Sequence, residues 1–239
     1  MLNITFDNQE KDFIRILQAE SRAGAPEVKR ATFEIARMHG YRVGRMIYGA
    51  RVVTVPIAIK YDSLRDLQLK KEELAKWLIH QEAKELKFSD EHNAMYYAHY
   101  TSGLEHLEES PSIAKGELVF TCYDPFKYGA EVTGRLSINN TRGGVESSCI
   151  IRVIFRDDTS EFIINHTESG KATRIAWDFV PGDILEIDTA KSLVKINDNE
   201  RMTAFDFRTE MFDILPGHNT MTTNVPNSVV EIRYQPRWL

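Results

Sequence analysis

Residues Phe120-Thr-Cys-Tyr-Asp-Pro-Phe-Lys-Tyr-Gly129 divide the chain. Leu118, Phe120 and Cys122 alternate with Val119, Thr121 and Tyr123, the period of two expected of a β-strand with one buried face. The strand must stop at Asp124-Pro125, because proline supplies no ladder donor and holds the preceding residue extended. Upstream of this run, strand patterns mix with one helix; downstream, the pattern is all-β. The run therefore reads as the junction between an N-terminal domain, residues 1–129, and a C-terminal domain, residues 130–239. Its aromatic side chains read as core and hinge packing.

The composition fits a globular protein: of 239 residues, 42% are hydrophobic and 27% charged. A net charge of -5 argues against bulk attraction to nucleic acid. No apolar run approaches the roughly 20 residues of a membrane helix, and the opening Met1-Leu-Asn-Ile-Thr-Phe-Asp7 lacks a signal peptide's basic start. Cys122 and Cys149 each fall in a strand pattern and read as buried free thiols of a protein made in a reducing cytoplasm.

Working outward, Ile4–Ile16 alternates around Asp7-Asn8-Gln9 as a short hairpin would, and residues 18–30 read as a loop. Strands are expected at Thr32–Met38, Arg51–Ile59, Leu86–Asp90, Ala94–Tyr100 and Glu117–Tyr123, with Pro56 marking an edge or bulge. Ser63–Gln81 is the one helix, capped by Ser63 with Asp66 and striped by Leu67, Leu74, Trp77 and Leu78. Beyond Gly129, strands are expected at 132–138, 147–156, 161–165, 173–177, 184–188, 193–196 and 229–234. Turn signals such as Asn139-Asn140 and Pro181-Gly182 separate them, the spacing of a sandwich or jelly roll.

Catalytic and nucleotide-binding signatures are missing: no phosphate loop, no G-x-G-x-x-G, no G-x-S-x-G, no C-x-x-C and no H-E-x-x-H. His92, His99 and His106 recur every seven residues, but an odd spacing sends successive strand side chains to opposite faces, so they do not read as a metal site. Acidic pairs such as Glu108-Glu109 sit in polar segments and read as solvated turns. No catalytic residue, cofactor or metal is expected.

One segment carries unusual charge. From Lys29 to Lys60 there are seven basic residues and one acid, Glu34, with Met38, Tyr41, Met46, Ile47 and Tyr48 interleaved among glycines. An arm rich in both arginine and apolar side chains wants a partner surface; an ordinary hairpin with a solvated basic face is the other reading. A nucleic-acid groove is disfavoured, because few aromatics are placed to stack bases.

Taken in order, Arg37-Met-His-Gly40, Tyr48-Gly-Ala-Arg-Val-Val-Thr-Val55, Leu74-Ala-Lys-Trp-Leu78, Leu86-Lys-Phe-Ser-Asp90, Tyr96-Tyr-Ala98, Phe120–Gly129, Pro181-Gly-Asp-Ile-Leu-Glu-Ile-Asp188, Val194-Lys-Ile-Asn197, Leu215-Pro-Gly-His-Asn219 and Arg237-Trp-Leu239 span nearly the whole chain. Together they resemble the distal tail protein family of siphophages, the hub proteins of the tail tip. The resemblance implies a mainly-β protein with an N-terminal β-sandwich carrying one helix and a long hairpin arm, followed by a C-terminal galectin-like jelly roll. It implies a hexameric ring of this chain at the virion tail tip, through which DNA passes without specific binding. The implied partners are the tail tube protein, the end of the tape measure, and a tail-associated lysin or fibre protein; no membrane is involved.

On that reading the arm reaches over the neighbouring copy with Arg37, Met38, His39, Tyr41, Arg42, Arg45, Met46, Tyr48 and Arg51. A head-to-tail ring needs a second, different patch on each copy, expected at Leu104, Glu105, Glu108 and Glu109. A galectin-like fold does not by itself bind sugar. His166 follows Asn165 without a matching arginine, the Glu231-Ile-Arg233 spacing is coincidental, and Trp177 reads as core. The alternative function is a carbohydrate-binding adhesion module in the C-terminal domain, and a docking platform for other proteins is the expectation.

Overall fold

The computed structural model describes residues 3–17, 25–104 and 107–239. The chain divides into two compact units, Met1–Lys127 with Leu239, and Tyr128–Trp238. Each unit has its own buried apolar cluster.

The first unit contains β1 (Ile4–Phe6), β2 (Ile14–Ile16), β3 (Val28–Phe33), β4 (Arg42–Tyr48), β5 (Arg51–Lys60), α1 (Leu64–Leu78), β6 (Lys84–Phe88), β7 (Tyr96–Ser102), β8 (Glu108–Ser110) and β9 (Ile113–Cys122). Its main sheet runs β1-β6-β7-β9-β5-β2, with β8 added to β9. The expected Ile4–Ile16 hairpin is corrected here. Asp7 and Asn8 do form a tight turn, with φ of 50° and 58° and Phe6 and Gln9 exchanging 3.0 Å backbone bonds. The strands on either side then separate: β1 pairs with β6 and β2 with β5. Polar Glu10-Lys11-Asp12 offers no apolar face to extend a ladder, and Glu10 instead accepts from Thr5 Oγ1 at 2.8 Å. The two edge strands β1 and β2 both line a crevice of about 260 Å³, so the sheet curls until its edges nearly meet. The expected sandwich is thus realised as one strongly curled, barrel-like sheet.

The core follows from alternation. In β5, Val53, Val55, Ile57 and Ile59 point inward, and opposite them in β9 stand Phe120, Leu118 and Ala114. Burying each of the large side chains stabilises the unit by roughly 1.5–3 kcal/mol. Pro56 is tolerated because β2 ends beside it: Leu17 N–H reaches the Pro56 carbonyl at 2.9 Å, and no ladder donor is demanded of the proline. In α1, Ser63 Oγ accepts the Asp66 N–H at 3.2 Å, while the Asp66 carboxylate accepts from Asp62 N–H and Lys70 Nζ. Trp77 is buried and its indole N–H donates to the Phe6 carbonyl at 2.9 Å. The helix stops at Leu78, before the expected Gln81, because Ile79 turns extended.

The second unit contains β10 (Lys127–Tyr128, at the junction), β11 (Val132–Gly134), β12 (Ser137–Asn140), β13 (Cys149–Ile154), β14 (Thr159–His166), β15 (Lys171–Phe179), β16 (Ile184–Asp188), β17 (Leu193–Ile196), β18 (Asn199–Glu200), β19 (Gly217–Thr223), β20 (Val229–Tyr234) and β21 (Arg237–Trp238). One sheet runs β11-β20-β13-β16-β17-β18 and the other β12-β19-β14-β15, and their inward residues share one core. This is a sandwich of two antiparallel sheets.

Two expectations are corrected in this unit. Asn139-Asn140 is not a turn but the end of β12; buried Asn140 accepts the Gly143 N–H at 3.0 Å and so shapes the turn that follows. Trp177 is not core but 37% exposed, with the Arg201 guanidinium 5.8 Å from its ring centre. The cause is a register shift: Glu161 pairs with Ala176 but Thr159 with Phe179, so β15 carries an extra residue and 176–178 all face outward.

Candidate interaction surfaces

The junction run is held from within the first unit. Phe120 and Cys122 are in the core, the strand ends at Cys122, and Asp124 turns the chain by accepting the Phe126 N–H at 3.2 Å. The Pro125 carbonyl accepts from Arg51 Nε at 2.9 Å. Arg51, grouped with the arm by charge alone, is therefore corrected: it is the first residue of β5, buried, with its guanidinium 5.8 Å from the Tyr96 ring centre. Tyr123, expected to pack, is 70% exposed with His99 at its edge.

The arm is a separate two-stranded sheet of β3 and β4. β3 spans Val28–Phe33, where a strand had been expected only from Thr32, because two-sided polar Lys29-Arg30 hides its period. The turn between the strands is made by Arg37 at φ 67° and Gly40 at φ 85°, with Met38 N–H on the Ile35 carbonyl at 3.0 Å. Arg37, Met38, His39, Tyr41 and Arg42 occupy this tip, and Arg45 and Met46 lie on β4; all seven are exposed. Tyr48 sits at the base, its ring 5.9 Å from that of Phe126. Opposed residues across the hairpin share a face. Val28, Arg30, Thr32, Val43, Met46 and Tyr48 lie on one face, and Lys29, Ile47, Phe33 and Arg42 on the other. Both faces thus mix apolar and cationic side chains; Tyr41, Val43 and Ile47 are each more than 60% exposed.

The expected acceptor residues do not form one patch. Glu105 lies outside the described residues. Leu104 packs against the core, its N–H on the Tyr100 hydroxyl. Glu108 opposes Lys115 across β8 and β9, while Glu109 opposes buried Ala114 and pairs with Lys71 of α1 at 2.8 Å. Consecutive strand residues point to opposite faces, so Glu108 and Glu109 serve different surfaces. Glu108 borders an open cleft of about 450 Å³ on the outer side of β5 and β9, where Glu117 and Lys115 also project. Glu117 is among the acids that the sequence offers to a neighbouring copy, and its parity with Lys115 and Val119, opposite the core residues of β9, puts it on this face.

The features weighed for sugar binding are inward-facing. His166 is buried, with Nε2 3.0 Å from Asn219 Oδ1 and Nδ1 2.8 Å from Ser169 Oγ, and its ring stacks on Phe212 at 4.8 Å. Asn219 Oδ1 already accepts the Leu215 N–H, so the imidazole must donate through Nε2. This network pins the β14–β15 turn to β19. An exposed crevice of about 490 Å³ lies elsewhere in the unit, lined by Met202, Phe205, Phe207 and Met211 beside Glu210 and Asp213. Among the described residues, no group of three or more His, Cys, Asp or Glu is placed to hold a metal ion. His99 contacts Tyr123, and His106 is outside the described residues. No described helix is long and apolar enough to cross a membrane.

Comparison with known proteins matches both units. The phage tail protein RIFT-related domain matches residues 8–122, and the siphovirus-type tail component, C-terminal domain, matches residues 142–238. The distal tail protein of Bacillus phage SPP1 is 28% identical over 167 residues, 66% of this chain and 66% of that protein. The chain belongs to the distal tail protein family of siphophages. The fold agrees along its whole length. The crystal structure of the SPP1 Dit protein, described as a paradigm of the hub adsorption apparatus in phages infecting Gram-positive bacteria, has a TM-score of 0.86 at 20% identity, with 100% of both chains covered. A chain of the phage P2 baseplate in its activated conformation with calcium has a TM-score of 0.53 at 8% identity, covering 98% of each. These relatives are described as distal tail, hub and baseplate proteins.

Proposed function

We propose that this protein is the structural hub of a phage or prophage tail tip, assembling as a hexameric ring by laying each arm on the neighbouring copy. The observation that carries the reading is the arm itself. An isolated two-stranded hairpin is marginal in water, yet this one displays apolar side chains on both faces and packs neither on the core. From Gly49 to the tip at Gly40 the strand extends roughly 30 Å at about 3.3 Å per residue, about twice the ~14 Å radius of gyration of a unit this size. Such a hairpin is built to contact another molecule. A heterologous contact closes into a ring when each copy offers a donor and an acceptor surface.

In this reading the ring joins the tail tube and the end of the tape measure to the lysin, fibre or receptor-binding components, and DNA crosses its channel without specific contacts. The protein is made in the host cytoplasm and carried at the virion tail tip, with no catalytic step. The second unit is a docking platform; the crevice that sets Phe205, Phe207 and Met211 beside Lys171, Glu210 and Asp213 supplies a mixed apolar and charged surface for protein contact. The sugar-binding alternative gains nothing from His166, whose side chain has no exposed surface.

Mass in solution and negative-stain microscopy test the proposal. The purified chain should form rings in a concentration-dependent way. Glu27 and Gly49 are already bridged by a 2.7 Å backbone bond, so replacing Val28–Tyr48 with a short Gly-Ser turn should leave both units folded and abolish the rings. Rings that persist without the arm would overturn the assignment.

A further inference from the structure

We propose that the outer face of β5 and β9 is the seat of the neighbouring copy's arm, with Glu108 and Glu117 receiving its arginines. This deepens the ring reading and rests on it.

The inner face of these two strands is committed to the core. Their outer face is not: Val52 is exposed, and Thr54, Pro56, Ala58, Val119 and Thr121 are only half-buried. This gives a strip of small and apolar side chains, flanked by the cleft where Leu17, Pro56 and Val119 meet Glu108, Lys115 and Glu117. At the edge of the cleft Gly103 holds φ at 131° and lies directly against β9, where a Cβ would fall 1.8 Å from the Glu117 carbonyl oxygen. An open apolar strip of this kind on a sheet marks a contact surface.

Charge selects the occupant. Between Val28 and Tyr48 the arm carries Lys29, Arg30, Arg37, Arg42 and Arg45 against Glu34 alone, a net charge of +4. The cleft presents two carboxylates and one lysine. Among the described residues Glu108 and Glu117 make no ion pair, in contrast to Glu109 on Lys71. Apolar strip meets apolar hairpin, and unpaired carboxylates meet unpaired guanidiniums, the complementarity that fixes register in a protein contact. The arm of the same chain does not take the place: β3 is exposed throughout and β4 nearly so. A second copy is the partner that carries the matching charge.

Charge reversal tests the seat. Glu108→Lys with Glu117→Lys should weaken ring formation at least tenfold by sedimentation, and Arg42→Glu with Arg45→Glu should do the same. Every contact pairs the arm of one copy with the cleft of the next, so all four changes in one chain should restore rings to within a few-fold of the wild type. All of these residues are exposed, and circular dichroism melts should stay at wild-type values. If the cleft reversal leaves the rings intact, or the fourfold variant assembles no better than the worse double variant, the seat lies elsewhere although the ring reading stands. A wild-type chain that is monomeric at every concentration overturns the ring reading and this seat with it.

Discussion

Arg51 is the residue on which the junction turns. Its buried guanidinium is the donor to the Pro125 carbonyl, and it thereby fixes the backbone at the point where β9 gives way to the exit toward the second unit. Replacing it by methionine keeps much of the side-chain volume but leaves that carbonyl without its donor. Arg51→Met should therefore cost about 1–3 kcal/mol in urea unfolding, whereas Arg42→Met at the exposed tip should stay within about 0.5 kcal/mol in the monomer. Equal effects at the two positions would refute the distinction. Arg51 also marks a limit of reading sequence: a run of basic residues is one-dimensional, and it cannot separate an arginine buried on a carbonyl from one offered to a partner. Trp177 failed for a related reason, since a β-bulge changes which face a residue takes without altering the local composition. Both thiols were legible as buried strand residues. Burial pushes Cys122 and Cys149 up to about 12. A folded value above the unfolded one favours the neutral thiol, so its stabilising effect is whole below the unfolded value and falls away as pH rises toward 12. At pH 8 neither should react with Ellman's reagent until the protein is unfolded, when both should.

Among the elements, the arm and β19 stand at opposite ends of legibility. The arm was visible because its composition conflicts with solvent; its strand boundaries were not, because neither face is buried and no period develops. β19 was missed altogether: Gly217-His-Asn-Thr-Met-Thr-Thr223 presents only Asn219 and Met221 inward, and a buried asparagine that bonds His166 and Leu215 does not register as apolar. The curled sheet was hidden as well, since the pairing of β1 with β6 depends on contacts 80 residues apart. The arm also gives a prediction at its own scale. In the monomer its hydrogen bonds are solvent-exposed and its local stability low, so β3 and β4 amides should exchange far faster than those of β5, whose neighbours on both sides are strands. In the assembled ring, exchange across Val28–Tyr48 should slow by at least roughly tenfold. Unchanged exchange by hydrogen–deuterium mass spectrometry would mean that assembly leaves the arm uncovered.

At the scale of the molecule, the decisive fact is that the two units do not share a core. Residues from Ile138 to Tyr234 close one buried cluster entirely within the second unit, from its two sheets and the loop carrying Phe212 and Ile214. A unit of about 110 residues can bury enough apolar surface to fold alone. The fragment Tyr128–Leu239 should therefore unfold cooperatively, with a stability of about 5 kcal/mol or more, and keep Cys149 silent to Ellman's reagent under native conditions. The buried His166, Asn219 and Ser169 network lies wholly inside this fragment, so its specific packing should survive the cut as well as its collapse. In the full chain the tryptophans divide the signal: Trp77 reports on the first unit, Trp177 and Trp238 on the second. Arg51→Met should lower the transition followed through Trp77 and leave that of the isolated fragment's counterpart in place. A fragment that binds hydrophobic dyes and exposes Cys149 would refute the autonomy of the second core. A single transition moved as a whole by Arg51→Met would instead mean that two independent cores are coupled in the intact chain.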